Sequence, residues 1–157
     1  MEVQLLNGTR SSINLAPSTA NTAVSSAVAA ETTLATINVG ANQMVNRAVR
    51  LVITSTSTNT LVTVRTWRVR LGGTIVAQWT PNVSGAIYSV EFSIFDRGNN
   101  NQRSTWHGTL NSITSANAYT SAIATTAATT ITITAEQASV SGSEITTLEA
   151  YYVELIR

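Results

Sequence analysis

Residues 61–80, LVTVRTWRVRLGGTIVAQWT, constrain this chain more than any other stretch. Trp67, Val69 and Leu71 fall on one parity, and Arg68 and Arg70 on the other, so the first run reads as a strand with one buried face. Gly72-Gly73 then provides two adjacent residues free to take positive φ, as a two-residue hairpin turn requires if its twist is to match that of its strands. The run from Thr74 to Thr80 therefore returns beside the first. Val62 and Val64 lie on the opposite parity to Trp67. That switch predicts a β-bulge near Arg65 or Thr66, where the strand bends or passes from one sheet to another.

The same period of two recurs along the chain. Leu34 to Val39 is strand-like and stops at Gly40-Ala41-Asn42, and Arg47 to Thr54 alternates Val49, Leu51 and Ile53 against Arg50, Val52 and Thr54. Ile87 to Phe95 places Tyr88, Val90, Phe92 and Ile94 inward, with Phe95 breaking the pattern. A short strand carries Trp106 and Leu110, and an irregular one is expected around Tyr119 to Ile123. Thr129 to Glu136 alternates threonine with Ile131 and Ile133, a strand with one wet face. Ile145 to Ile156 is apolar on both parities, which predicts a strand buried on both sides or one interrupted by a bulge. Met1 to Ala30 has no such pattern and reads as an extended N-terminal arm, residues 1–30, ahead of a single domain, residues 31–157.

No helical period of any length appears. With 157 residues the chain suits one domain with one core. The count is about eight strands with connections of uneven length, so the expected fold is all-β: a single eight-stranded antiparallel β-sandwich of the jelly-roll kind. The immunoglobulin alternative lacks its Cys, Trp, Cys spacing, and no repeat of solenoid or propeller length occurs.

Composition narrows the function classes. Charged residues make up 11% of the chain against roughly 25% in an average domain, and every basic side chain is an arginine. A net charge of +1, with only Arg10 before Arg47, gives no clustered basic surface to displace counterions from phosphates, so direct nucleic-acid binding is not expected. No apolar run reaches the ~20 residues of a membrane span, and MEVQLLNGTR lacks the basic start and apolar middle of a signal peptide; synthesis in a cytoplasm is the expectation. Serine and threonine, about a quarter of the chain, suit either threonine-rich strand surfaces or a protein that hides its surface in an assembly.

Chemistry finds few footholds. The chain has no cysteine and one histidine, His107, and no nucleophile elbow surrounds any serine, so nucleophilic catalysis lacks its base and its orienting group. One histidine and eight scattered carboxylates do not make a zinc or calcium site. Glu91, Glu136, Glu144, Glu149 and Glu154 would have to furnish any glycosidase pair; Glu149 and Glu154, at odd separation on one strand, point to opposite faces unless a bulge intervenes. No enzyme, no cofactor and no metal is expected.

Two binding surfaces stand out instead. Arg50, Arg65, Arg68 and Arg70 would form a stripe across adjacent strands, suited to pairing with a neighbour's carboxylates or simply to facing solvent. The loop of Asp96, Arg97, Asn99, Asn100, Asn101 and Gln102 is the most polar stretch and offers amides that can hydrogen-bond a glycan. Trp67, Trp79 and Trp106 alternate with polar neighbours as core residues do; stacking on a sugar requires one of them to stand exposed.

TITITAEQASVSGSEITTLEAYYVELIR at the carboxy terminus, with WRVRLGGTIVAQ and DRGNNNQRSTWHGTL, resembles small virion proteins of tailed bacteriophages, the single jelly-roll cement or head-decoration proteins. The similarity covers about Thr33 to Arg157. It implies a homotrimer seated on the outer capsid surface, with a major capsid protein of the HK97-type fold as partner, and an arm reaching over a neighbouring capsid subunit. The protein would be made in the host cytoplasm and end in the virion, contributing binding energy across capsomer junctions. Jelly rolls of similar appearance occur in tail fibres, so a receptor-binding, carbohydrate-recognition module is the alternative.

Overall fold

Alternating β-branched and hydroxyl side chains leave the chain little choice but pleated strands, and the uneven turns between them decide which sheet each strand joins. The computed structural model describes residues 22–25, 30–58, 65–81, 87–98, 100–107, 113–137 and 145–156. Among these lie the strands β1 (Thr22–Ser25), β2 (Thr32–Val39), β3 (Ala48–Thr58), β4 (Arg65–Leu71), β5 (Thr74–Pro81), β6 (Ile87–Asp96), β7 (Gln102–His107), β8 (Ile113–Ala118), β9 (Thr120–Ser121), β10 (Thr129–Gln137) and β11 (Ile145–Ile156). A six-stranded sheet has the order β1-β11-β3-β6-β7-β9 and faces a five-stranded sheet of order β2-β10-β4-β5-β8. Every pairing is antiparallel.

The antiparallel sandwich expected from the sequence is present, with eleven strands among the described residues against about eight counted, and β9 falls where an irregular strand was expected, around Tyr119 to Ile123. β1, β8 and β9 are short or poor in bulky residues and carry almost no alternation, so their pairing rests on neighbours rather than on their own pattern. β1 falls inside the segment read as an arm and pairs with β11, Thr22 opposite Leu148 through Ser25 opposite Ile145. Residues 1–21, on which the rest of the arm reading falls, lie outside the described residues.

Gly72 and Gly73 take φ of 53° and 83°, the left-handed values of a two-residue hairpin turn, and join β4 to β5 as anticipated. The backbone is tight there: the Gly72 N–H donates to the Thr130 carbonyl at 2.9 Å, and a Cβ on Gly72 would stand 3.1 Å from Thr129 Oγ1. Within β4 itself no bulge is present at Arg65 or Thr66. β4 pairs with β10 without interruption from Arg65 to Leu71, and the irregularity falls on β5, where Val69 faces Ala77 but Arg70 faces Ile75. Val76 is the extra residue, which is why Val76 and Ala77 are both buried. Val62 and Val64 lie outside the described residues; the chain changes sheets between Thr58 and Arg65.

A second bulge explains the last strand. β11 runs in register with β3 until Leu148, then skips Glu149 before Ala150 meets Thr54. Thr146 and Leu148 point inward before it, and Val153 and Leu155 after it. Both parities of β11 are therefore apolar because the inward parity switches, the second of the two possibilities that the sequence left open.

The core is one cluster drawn from both sheets: Val49, Leu51, Ile53, Val90, Phe92 and Ile94 from one, Ile37, Trp67, Val69, Leu71, Trp79, Ile131 and Ile133 from the other. Trp67 and Trp79 face each other across β4 and β5 with ring centroids 5.7 Å apart and an interplanar angle of 15°. Trp79 in turn meets Phe92 of the opposite sheet at 5.1 Å. Two of the three tryptophans are thus core residues, as expected; the side chain of Trp106 lies outside the described residues. Met44, fully buried from the loop between β2 and β3, also joins this core.

Removing the Trp79 indole opens both its stack on Trp67 and its contact with Phe92 of the opposite sheet. Trp79→Ala is expected to destabilise the fold by about 3–5 kcal/mol in urea unfolding, and a double-mutant cycle with Trp67→Ala should return a coupling of about 0.5–1.5 kcal/mol. Additive effects of the two substitutions would show that the stack contributes nothing beyond burial.

Candidate functional site

The arginine stripe expected from the sequence does not form, because the chain changes sheets between Arg50 and the other three. Arg65 has the inward parity of Trp67 and is 2% exposed. It sits opposite Gln137 of β10, whose amide donates to Thr146 Oγ1 of β11 at 2.9 Å, so this end of the sandwich interior is polar. Arg68 and Arg70 share the outer face of the five-stranded sheet. Arg50 lies on the outer face of the other sheet.

Arg68 and Arg70 are held by a carboxylate that sequence reading did not single out. Glu31, immediately before β2, accepts from Arg70 Nε and Nη2 at 2.7 Å each, from Thr134 Oγ1 at 2.5 Å and from Arg68 Nη1 at 3.2 Å. Arg68 Nη1 also donates to Glu136 at 2.6 Å, and its Nε to Gln78 Oε1 at 3.1 Å. The side chain of Glu31 thus reaches across β10 to β4 and pins the start of the edge strand β2 to the middle of its sheet. Thr134, an outward residue, is buried beneath it. The paired hydrogen bond from Arg70 is the main cause that lowers the Glu31 pKa to about 2, against the opposing effect of partial burial; Thr134 and the positive fields of Arg70 and Arg68 add to the lowering. Arg70 is correspondingly raised by Glu31.

The outer face of the six-stranded sheet is different in kind. Along β3, Ala48 is flanked by Phe95 and Ile156, Arg50 by Ser93 and Glu154, Val52 by Glu91 and Tyr152, and Thr56 by Ile87. Ile87 is 70% exposed, Tyr152 43%, Phe95 42% and Ile156 39%. These are the exposed large apolar side chains among the described residues, and all four stand on this one face. Arg50 Nε and Nη2 bind the two oxygens of Glu91 at 2.8 and 2.9 Å, and Glu154 lies 3.9 Å away. Glu91 first, then Glu154, holds the Arg50 guanidinium yet more firmly protonated. Glu149, on the bulge of β11, accepts from Thr56 Oγ1. The bulge brings Glu149 and Glu154 to the same face, but five positions along β11 keep them roughly 15 Å apart, too far for a glycosidase pair.

The polar loop is built from inside. Asp96 is 6% exposed and Gln102 fully buried, contrary to the reading of the whole loop as exposed. Asp96 Oδ2 accepts from Thr125 Oγ1 at 2.7 Å and from the Asn46 N–H at 3.2 Å; Oδ1 accepts from the Gly98 N–H and from Gln102 Nε2, both at 3.2 Å. The Gln102 amide continues the network, donating to the Ile123 carbonyl and accepting from the Ile123 N–H, each at 2.8 Å. One carboxylate and one amide therefore tie together three loops, and neither points outward. Arg97, Asn100 and Asn101 are exposed, and Asn99 lies outside the described residues. Asn100 and Asn101, with Thr120, Ser121 and Ala122, line a shallow open depression of about 530 Å³. His107 sits opposite Glu91 in the ladder. No cluster of three or more histidine or acidic side chains suited to a metal occurs among the described residues, and these include no helix long and apolar enough to cross a membrane.

No protein-family model matches the chain, and no curated protein matches it. Similar solved structures include the CBM2 module of the evolved Dit of Lactobacillus casei BL23 phage J-1, with 9% identity over 78% of this chain and 69% of that one at a TM-score of 0.43. The galectin LEC-6 of Caenorhabditis elegans has 12% identity over 79% of this chain and 95% of its own, at a TM-score of 0.40. The insecticidal delta-endotoxin Cry8Ea1 of Bacillus thuringiensis has 14% identity over 83% of this chain and 19% of its own, at 0.39. At these identities the ligands and partners of those proteins stay with them.

The Glu31 clamp has a pH signature. A carboxylate whose folded pKa lies near 2, against 4.5 in the unfolded chain, stabilises the fold fully above about pH 4.5 and loses that contribution as pH falls toward 2. After allowance for solvent around a quarter-exposed side chain, the loss is on the order of 2 kcal/mol. Glu31→Gln should be less stable than the wild type at pH 7 and should show a shallower decline between pH 4.5 and 2 in urea unfolding. Parallel declines would mean that other carboxylates set the acid sensitivity.

Proposed function

We propose that this chain is a virion structural protein that acts by surface contact, decorating the outside of a phage capsid and bracing its capsomer junctions. The observation that carries the reading is the gathering of Ile87, Phe95, Tyr152 and Ile156 on one sheet face, in a chain whose ionic side chains there and at Glu31 are engaged with one another. Such a face gains free energy when covered and offers no convergent polar groups for a reaction. The likeness of the strand and turn runs to head-decoration proteins supplies the assignment to a capsid. In this reading the partners are further copies of the chain and the major capsid protein, and neither a cofactor nor a catalysed reaction is involved.

A carbohydrate-recognition role is supported by the depression beside Asn100 and Asn101. Against it, Trp67 and Trp79 are sealed in the core, so neither can stack on a sugar, and Asp96 and Gln102 have their polar atoms turned inward.

The two readings separate in one experiment. Purified protein mixed with capsids that lack it should sediment with them in a fixed ratio to capsid protein and raise the temperature at which the shells come apart. The decoration reading fails if capsids leave the protein in the supernatant while immobilised glycans retain it.

A further inference from the structure

We infer that the outer face formed by β11, β3, β6 and β7 is a self-association surface, on which a second copy of this chain seats the same face. The two outer faces of the sandwich differ in a way that core packing does not require. Among the described residues the face of the five-stranded sheet carries hydroxyl and amide side chains with half-buried Ile75 around the Glu31 clamp, and none of the exposed large apolar residues. The face of the six-stranded sheet carries all four of them among the described residues.

The occupant follows from charge and area. Within this face Arg50 is bound by Glu91 and stands near Glu154, and exposed Arg103 pairs with Phe95 in the ladder. Two arginines and two glutamates leave the centre neutral, with Glu149 at the rim held by Thr56. A strongly acidic or basic partner has nothing to answer here, whereas a second neutral face meets it without repulsion between like charges. Four strands spaced about 4.8 Å apart and nine residues of β3 at about 3.4 Å each give roughly 500 Å² of face. Two copies then bury about 1,000 Å² in total, the lower bound for a specific interface. The pairing places Tyr152, beside Val52, at the centre, where an aromatic side chain contributes most, with Phe95 and Ile156 at one end of the face and Ile87 at the other.

The test is oligomeric state by light scattering on the full chain, read across the micromolar range. The wild type should form pairs, and Phe95→Ser with Tyr152→Ser should shift it to monomer with an unchanged circular dichroism spectrum. Thr36→Arg, on the outer face of the other sheet, should leave the pairs intact. Since the chain has no cysteine, Val52→Cys provides a second readout in an otherwise native chain. It should form a covalent dimer under mild oxidation much faster than Thr36→Cys. A wild type that stays monomeric, a trimer that survives the Phe95 and Tyr152 substitutions, or equal cross-linking rates at the two cysteines would each overturn the inference. A monomer that still binds capsids would overturn this pairing and leave the decoration reading standing; a pair that ignores capsids would do the reverse.

Discussion

An aromatic bridge at the heart of the shared core joins the two layers of the sandwich. Trp79 stacks on Trp67 within the five-stranded sheet and leans on Phe92 of the six-stranded one. Fully buried aliphatic side chains from both sheets, Leu51, Ile53, Leu71, Ile131 and Ile133 among them, belong to the same core cluster as this aromatic bridge. A chain in which threonine and serine occupy so many outward positions has only the inward parity left for cohesion, and the interior must be filled by a small number of bulky groups. The bulge at Val76 serves the same end. It sets the register that places Trp79 opposite Trp67 while the Gly72-Gly73 turn keeps its two-residue geometry.

Charge is used sparingly and locally. Glu31 holds Arg68 and Arg70 on the outer face of the five-stranded sheet, Glu91 holds Arg50 on the opposite face, and Asp96 is consumed by three loops. Two of these carboxylates act where the backbone ladder stops: Glu31 at the entry to the edge strand β2, Asp96 at the end of β6. Edge and loop positions are where a sandwich opens most easily, and a charge-assisted hydrogen bond there holds more than the same bond in mid-sheet. The polar stretch from Asp96 to Arg103, which suggests a ligand loop in sequence, is in this light a structural knot with an exposed amide tip.

The asymmetry between the two outer faces bears on function more than any pocket does. Hydroxyl-rich strands with paired charges suit contact with water. A face on which Phe95, Tyr152 and Ile156 surround a neutral arginine and glutamate pair suits contact with protein. A capsid decoration protein needs such a surface and needs no chemistry, and a sandwich that commits its polar reach to internal clamps is consistent with that work.

Much of this was legible from residue order, because a strand exposes its period directly. The alternation of Val49, Leu51 and Ile53, of Val90, Phe92 and Ile94, and of Trp67, Val69 and Leu71 determined the inward faces, and Gly72-Gly73 determined the hairpin. The bulges were not legible in position: β4 is regular from Arg65 onward, and slips fall at Val76 on β5 and at Glu149 on β11, since where a register slips depends on the partner strand. Arg65, drawn as part of an outward stripe, has the inward parity of Trp67, and Arg50 belongs to the other sheet. Glu31 gave no signal at all, for its partners Arg70 and Thr134 are 39 and 103 residues away. The sequence by itself determined which residues face the core, because side-chain direction is a local property of a pleated strand. Only the tertiary structure decided which outward residues share a face, because that depends on where each strand lands in the two sheets, and so on pairings made across most of the chain.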